Sequence, residues 1–350
     1  PEEQAAFFGG NYDNFVYPRY DLDFTFVRVY ENDKPASTPN FLKWSATGAP
    51  DGEFVVVSGF PGSTARLLTV AQLTYQRDVG NPLQEKVWKT RRKALEDDSK
   101  RSAEALRQAN PGMRSLANSL KRLEGQQNGL LNPRNFFRKV AEEKDLRDKL
   151  AEKPDLNRQY APAWEAIANA YTGMPAADQM AFASLASSRL ATMALQIVTY
   201  SIETNKPDGQ RYPEYRDTRL EAFKTSLLSP APVYPEMDAA VLTYWMIEAR
   251  KVLGGPNDPF IKAALGGAEP GEVIGRAIRE TKLTDPAARK ALIDGGAAAV
   301  NSSTDPLLTL ARRVEPIIRT YRDWNEKNIV NVETANGTKI AQARFAVYGK

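Results

Sequence analysis

The residues of this chain best suited to chemistry crowd into one stretch near its start. Gly9-Gly10-Asn11-Tyr12-Asp13-Asn14-Phe15-Val16-Tyr17-Pro18-Arg19-Tyr20-Asp21-Leu22-Asp23-Phe24 combines three carboxylates, two amides and three phenols in a polar run that leads into an apolar one. Such a run reads as a loop entering a strand, where Asp23 or Asp21 either makes a turn or orients a hydrogen-bonding partner. A carboxylate-pair hydrolase built on Asp13, Asp21 or Asp23 is a rival reading. Residues two apart on a strand share a face, however, and such chemistry needs a partner placed separately.

Histidine and cysteine are both absent from the 350 residues. A hydroxyl or thiol nucleophile working at neutral pH usually needs an adjacent base, and imidazole is the side chain whose pKa suits that task. A Ser-His-Asp or Cys-His site contained within this chain is therefore excluded. The common nitrogen and sulfur metal ligands are missing as well, so no metal and no cofactor is assigned, and only oxygen-ligated cations stay open.

Strands and turns occupy the first sixty or so residues. Asp23 to Tyr30 and Glu53 to Ser58 are rich in aromatic and β-branched residues and read as strands. Turn signals at Glu31-Asn32-Asp33-Lys34-Pro35 and Ala49-Pro50-Asp51-Gly52 lie between them. From Leu67 the period becomes helical through Gln108, with Val87, Arg91, Ala94, Leu95, Ala105 and Leu106 on one face, and Asn110-Pro111-Gly112 reads as its stop. Further helices are predicted over Ser115–Glu124, Pro133–Leu150, Asp155–Tyr171, Ala176–Thr204, Pro235–Leu253 and Pro306–Lys327, most opening at a proline or an acidic residue. Val330 to Glu333, an Asn336-Gly337 turn and Lys339 to Tyr348 read as a closing β-hairpin. Strands on both sides of a helical block are the pattern of a domain inserted into a β domain.

With these elements in place, the chain resembles the dipeptidyl-peptidase 7 and 11 type serine exopeptidases. The resemblance rests on Gly9 to Tyr30, Gly52 to Arg66, Leu116 to Leu130, Thr304 to Arg312 and Ala343 to Gly349, which occur in the family's order along nearly the whole chain. It implies a mainly α chain, in which a large helical domain is inserted into a chymotrypsin-like double β-barrel and only short flanking barrel strands are present. The implied domains are a barrel segment over 1–66, a helical cap over 67–329 and returning strands over 330–350. Asp23 takes the place of the triad aspartate, which holds a histidine in its productive tautomer without itself being the base. Asn14 and Phe15 take the place of an Asn-Trp pair that binds the substrate's free amino terminus, and phenylalanine lacks the indole donor. Asn118 resembles a helical-domain asparagine that approaches the same amine.

The chain starts at Pro1 without an initiator methionine, and the expectation is a piece of a longer enzyme whose histidine lies upstream and whose serine lies downstream. Such a parent removes dipeptides from peptide N-termini, and the isolated chain is expected to be inactive. The resemblance implies a periplasmic enzyme, with secretion or outer-membrane association as alternatives, and admits a homodimer of the parent. The rival from another class is a non-catalytic helical binding or scaffold protein.

Composition is that of an ordinary folded chain, at 42% hydrophobic and 26% charged residues. Its 47 basic and 43 acidic residues are interleaved, leaving a net charge of +4, so no nucleic-acid partner is assigned. The longest apolar stretch, Met180 to Val198, is interrupted by Ser184, Ser187, Ser188, Arg189 and Gln196, so no membrane span is read. Arg91-Arg92-Lys93 reads as a solvated helix face, because Glu96-Asp97-Asp98 follows one turn later.

Overall fold

Helix-starting chemistry decides most of the architecture. The computed structural model describes residues 26–56, 67–172 and 177–349. They belong to two units, a small one within 12–67 and a large one that includes 68–349. Asn14, Phe15 and Asp23 lie outside the described residues.

In the small unit, β1 (Tyr30–Glu31) pairs antiparallel with β2 (Lys34–Pro35), in the register Tyr30 to Pro35 and Glu31 to Lys34. Asn32 and Asp33 close this hairpin at φ 52° and 61°, as a two-residue turn with both central residues left-handed requires. The second expected turn also forms: the Glu53 N–H donates to the Pro50 carbonyl at 3.2 Å, and Gly52 takes φ 82°. Among the described residues the longer strands expected on either side do not appear. Phe26 to Val29 and Glu53 to Val56 carry no strand pairing, and Phe26, Val27, Phe54 and Val56 are exposed. An apolar strand needs a ladder partner and a covering layer, and neither is found among the described residues.

The described residues of the large unit form helices joined by turns and loops. In chain order it comprises α1 (Val70–Tyr75), α2 (Asn81–Ser99), α3 (Ala103–Leu131), α4 (Pro133–Ala151), α5 (Pro154–Tyr160) and α6 (Pro162–Thr172). Next come α7 (Ala177–Phe182), α8 (Arg189–Glu203), α9 (Asp217–Leu227), α10 (Pro235–Val252) and α11 (Pro259–Leu265). The last five are α12 (Pro270–Glu280), α13 (Pro286–Asp294), α14 (Gly296–Ser302), α15 (Pro306–Asn325) and α16 (Asn331–Tyr348).

Proline at the first helical position costs no hydrogen bond there, which is why α4, α5, α6, α10, α11, α12, α13 and α15 all open on it. Side chains satisfy other orphan donors. Thr69 and Gln72 form a reciprocal capping box before α1, Ser102 accepts from Ala105 N at 3.0 Å, and Asp305 accepts from Leu307 N at 3.0 Å.

Two cores result. The larger gathers Phe182, Ile197, Leu242, Met246, Phe260 and Leu307 among many others. The smaller packs Leu146 and Leu150 of α4 and Trp164 and Ile167 of α6 against Ile340 and Ala343 of α16. α1 runs into α2 through a π-turn at Gln76–Gly80, and α15 runs into α16 through a second at Glu326–Val330.

Several sequence expectations are corrected. The closing hairpin is instead the helix α16. Ile340, Ala343 and Val347 recur at helical spacing and pack in the smaller core, the buried Asn336 donates through Nδ2 to the Val332 carbonyl one turn back at 2.9 Å, and Gly337 does not adopt positive φ. Packing along that face overrides the Asn-Gly turn signal.

Pro111 does not stop a helix but lies inside α3, and the interruption falls at Lys100 to Ser102, where Ser102 restarts the helix. The predicted 155–171 helix is divided at Pro162. The predicted 176–204 helix is divided by the loop through Ser184 and Ser188, and helices α9 and α11 to α14 were not anticipated. The unanticipated helices are short and bounded by Gly, Pro or Asp, and apart from α12, where Val273, Ile274, Ala277 and Ile278 do recur at helical spacing, they carry too few turns for a period to develop. No helix of the described residues is long and apolar enough to cross a membrane.

Candidate substrate-binding site

Asn118 is the one predicted site residue that falls within the described structure. It lies mid-way along α3, whose buried side is formed by Ala105, Ala109, Leu116 and Leu123. A helix advances 100° per residue, so Arg114, Asn118 and Lys121 project together from the opposite side. All three are nevertheless half-buried, and none is without a partner. Asn128, one of the amides further along α3, is exposed.

A ladder of amides fixes where α3 can lie. Gln127 Nε2 donates to the Arg77 carbonyl at 2.7 Å, and Asn81 Nδ2 donates to Gln127 Oε1 at 2.9 Å. Gln126 Nε2 reaches Gln76 Oε1 at 3.3 Å, and the Arg77 guanidinium stacks 4.4 Å from the Phe136 ring centroid. A π-turn disturbs the regular carbonyl ladder of a helix, and Gln127 supplies the Arg77 carbonyl there with a donor from outside it.

A second polar cluster ties α1, α6 and α16 together. Glu333 accepts from Gln72 Nε2 at 2.8 Å and from the Tyr171 hydroxyl, while the Tyr171 ring stacks on Tyr75 with centroids 4.5 Å apart. Burial, and then the neighbouring Glu333 charge, raise both phenols above the usual tyrosine range, so they stay protonated donors at any working pH.

The third cluster is an ion network around Glu203. That carboxylate is fully buried and accepts from Lys206 Nζ at 2.6 Å, Tyr212 N at 2.8 Å and Arg319 Nη1 at 2.6 Å. Burial alone would raise its pKa, but the bonds from Lys206, Tyr212 N–H and Arg319 outweigh it and hold the carboxyl below the usual glutamate range.

No single-sequence signal joins residues as distant as Tyr171 and Glu333, or Glu203 and Arg319, because each pair is separated by more than a hundred positions. These amides, protonated phenols and compensated charges hold the described helices to one another. Among the described residues no group of three or more Asp and Glu is placed to hold a metal ion.

Comparison with known proteins identifies the context of these features. The family model described as Peptidase S46 matches residues 1–350. The chain is 26% identical over 337 residues to the Asp/Glu-specific dipeptidyl-peptidase of Shewanella putrefaciens, covering 89% of this chain and 44% of that protein. It is 26% identical over 256 residues to dipeptidyl-peptidase 7 of Capnocytophaga gingivalis, covering 67% of this chain and 35% of that protein. The chain thus spans less than half the length of these relatives.

Among solved structures, Porphyromonas endodontalis DPP11 in complex with the dipeptide Arg-Glu matches with a TM-score of 0.53 at 12% identity, over 83% of this chain and 42% of that one. That likeness concerns the fold alone and agrees with the mainly helical architecture. With the family model matched from end to end, the chain belongs to the Peptidase S46 family.

Proposed function

We propose that this chain is the helical-cap portion, with flanking barrel segments, of a serine dipeptidyl aminopeptidase that releases dipeptides from peptide N-termini in the periplasm. The observation that carries the reading is the family match over all 350 residues, together with relatives whose names are Asp/Glu-specific dipeptidyl-peptidase and dipeptidyl-peptidase 7. The catalytic histidine and serine are contributed from outside these residues, which is supported by the absence of histidine and by relatives of more than twice the length.

In this reading Asp23 orients the histidine and stabilises the imidazolium that forms during acyl transfer. The Asn14 amide oxygen accepts from the substrate ammonium, Phe15 walls off the amine subsite, and Asn118 adds a second polar contact from the cap. The exposed apolar residues Phe26, Val27, Phe54 and Val56 belong to barrel strands covered by the rest of the enzyme, which is where an apolar strand face is stable. The helices close the cleft beyond the second substrate residue and so favour an exopeptidase.

The test uses the full-length enzyme and one chromogenic dipeptide, with and without a blocked α-amine. Asp23→Asn should lower kcat by about three to four orders of magnitude with little change in KM, because an amide there favours the wrong imidazole tautomer. Asn14→Ala should raise KM for the free-amine substrate by the equivalent of about 1.5–3 kcal/mol, and Asn118→Ala should move the same parameter in the same direction. Equal modest losses at Asp21 and Asp23 would assign the wrong carboxylate. Unchanged discrimination between free and blocked amines would remove Asn14 and Asn118 from the site. Residues 1–350 alone should give no turnover.

A further inference from the structure

Arg91, Arg92 and Lys93 are consecutive on α2, yet they do different things. Arg92 Nε donates to Glu96 at 2.7 Å and Lys93 pairs with Asp97, each one turn on, as a solvated helix face does. Arg91 is half-buried and pairs with no carboxylate, carbonyl or ring among the described residues. Instead it lines a 390 Å³ cleft bounded by α2, α3, the start of α8, the end of α9 and α10. Burial pushes its guanidinium below the usual arginine range, the mark of a cation lacking a counter-charge.

The cleft is built to stay open and to stay polar. Gly112 allows α3 to approach α2 closely, since a Cβ there would sit 3.0 Å from Leu95 Cδ1, and both residues form the cleft wall. The Ser187 hydroxyl in the same wall is buried with no hydrogen-bond partner. A buried hydroxyl without a partner carries a desolvation cost that a ligand can relieve. The Gln196 side-chain amide also lines the cleft and forms no hydrogen bond among the described residues.

Charge completes the case. The charged lining residues are Arg91, Arg189 and Asp238, two cations against one anion. The Asp238 carboxyl is already engaged by the amino end of α8, accepting from Arg189 N at 2.6 Å and Leu190 N at 3.4 Å. Arg189 donates to the Pro232 carbonyl at 3.0 Å. Just behind the wall, the fully buried Arg289 donates to the Leu227 carbonyl and approaches Met193 Sδ at 3.7 Å, adding a third positive charge.

We propose that this cleft binds a small oxyanion, gripped by the Arg91 guanidinium and completed by the Ser187 hydroxyl and the Gln196 amide. A guanidinium fork matches carboxylate and phosphate alike, and the volume suits a molecule with few non-hydrogen atoms beyond the anionic group.

The test is calorimetric titration of the full-length protein with glutarate and, separately, with inorganic phosphate. Neither ligand has the α-amine that the proposed peptidase site selects, so its failure and that of the peptidase reading are distinguishable. Saturable binding of at least one anion is expected, and the one that binds more tightly identifies the source. Arg91→Gln should weaken it about 10- to 100-fold, the loss of a charge-assisted pair, while Arg92→Gln leaves it unchanged. Should Arg91→Gln fold poorly, a loss of fivefold or more in Gln196→Leu or Ser187→Ala carries the same weight. No saturable binding of either anion, or equal affinity across wild type and all the cleft variants, overturns the proposal.

Discussion

Replacing Glu203 by Gln tests whether the ion network between α8 and α15 governs stability. The carboxylate is fully buried and receives three donors, from Lys206, from the Tyr212 backbone and from Arg319, at 2.6–2.8 Å. An amide of the same shape has one oxygen for those donors and turns its NH2 toward at least one of them. Lys206 retains a third of its surface and can turn to water, so its share is small. Arg319 is only 17% exposed and keeps Glu315, which its Nε meets at 2.8 Å, but loses half of its compensation. Removing one partner of a buried pair costs about 3–5 kcal/mol, and the same is expected here.

Urea denaturation of the wild type, Glu203→Gln and Lys206→Ala, followed by circular dichroism, measures it; Lys206→Ala should lose at most about 1 kcal/mol. The pH dependence has a definite sign. Because the folded carboxyl is held below its unfolded value, its contribution is full above the ordinary glutamate range and is lost as pH falls through the folded value. Glu203→Gln should therefore flatten that acid limb. A loss below about 1 kcal/mol together with an unchanged acid limb would refute the reasoning.

Gly337→Ala should raise stability by about 0.5–1 kcal/mol in thermal melts, since a Cβ there meets nothing within 4 Å in a helix; destabilisation would restore the turn reading of Asn336-Gly337. Asp238→Ala should cost about 1–3 kcal/mol in denaturant unfolding, because it leaves the Arg189 and Leu190 N–H groups unpaired; no loss would show that water replaces the carboxylate. Burial raises the Asp238 carboxyl despite the Ser188 and backbone bonds, so its own contribution should decline as pH rises through its folded value, opposite in sign to Glu203. Glu214, bound by Arg322 at 2.6 and 2.9 Å, is also held below the usual range, so Glu214→Gln should remove a further part of the stability that is lost as pH falls below the ordinary glutamate range, measured by melting from neutral pH down through that range.

The sequence alone determined where α4, α5, α10 and α15 begin, because proline at the first helical position acts through local geometry that the order of residues contains. It determined both short turns of the small unit for the same reason: Asn32-Asp33 and Gly52 accept positive φ locally. It also excluded an internal histidine- or cysteine-based site, since composition needs no fold.

The tertiary structure decided what local signals left ambiguous or misread. Asn336-Gly337 became helix because Ile340 and Ala343 gain a buried face against Leu150 and Trp164, which outweighs a two-residue turn preference. Arg91 parted company with Arg92 and Lys93 because helix periodicity turned it toward the cleft that α8 and α10 close, and no reading of a charge run can say what faces each of its members. Tyr171 and Glu333, and Glu203 through Arg319, acquired their roles from partners more than a hundred residues away. Packing creates those proximities, and with them the burial that makes each pairing matter.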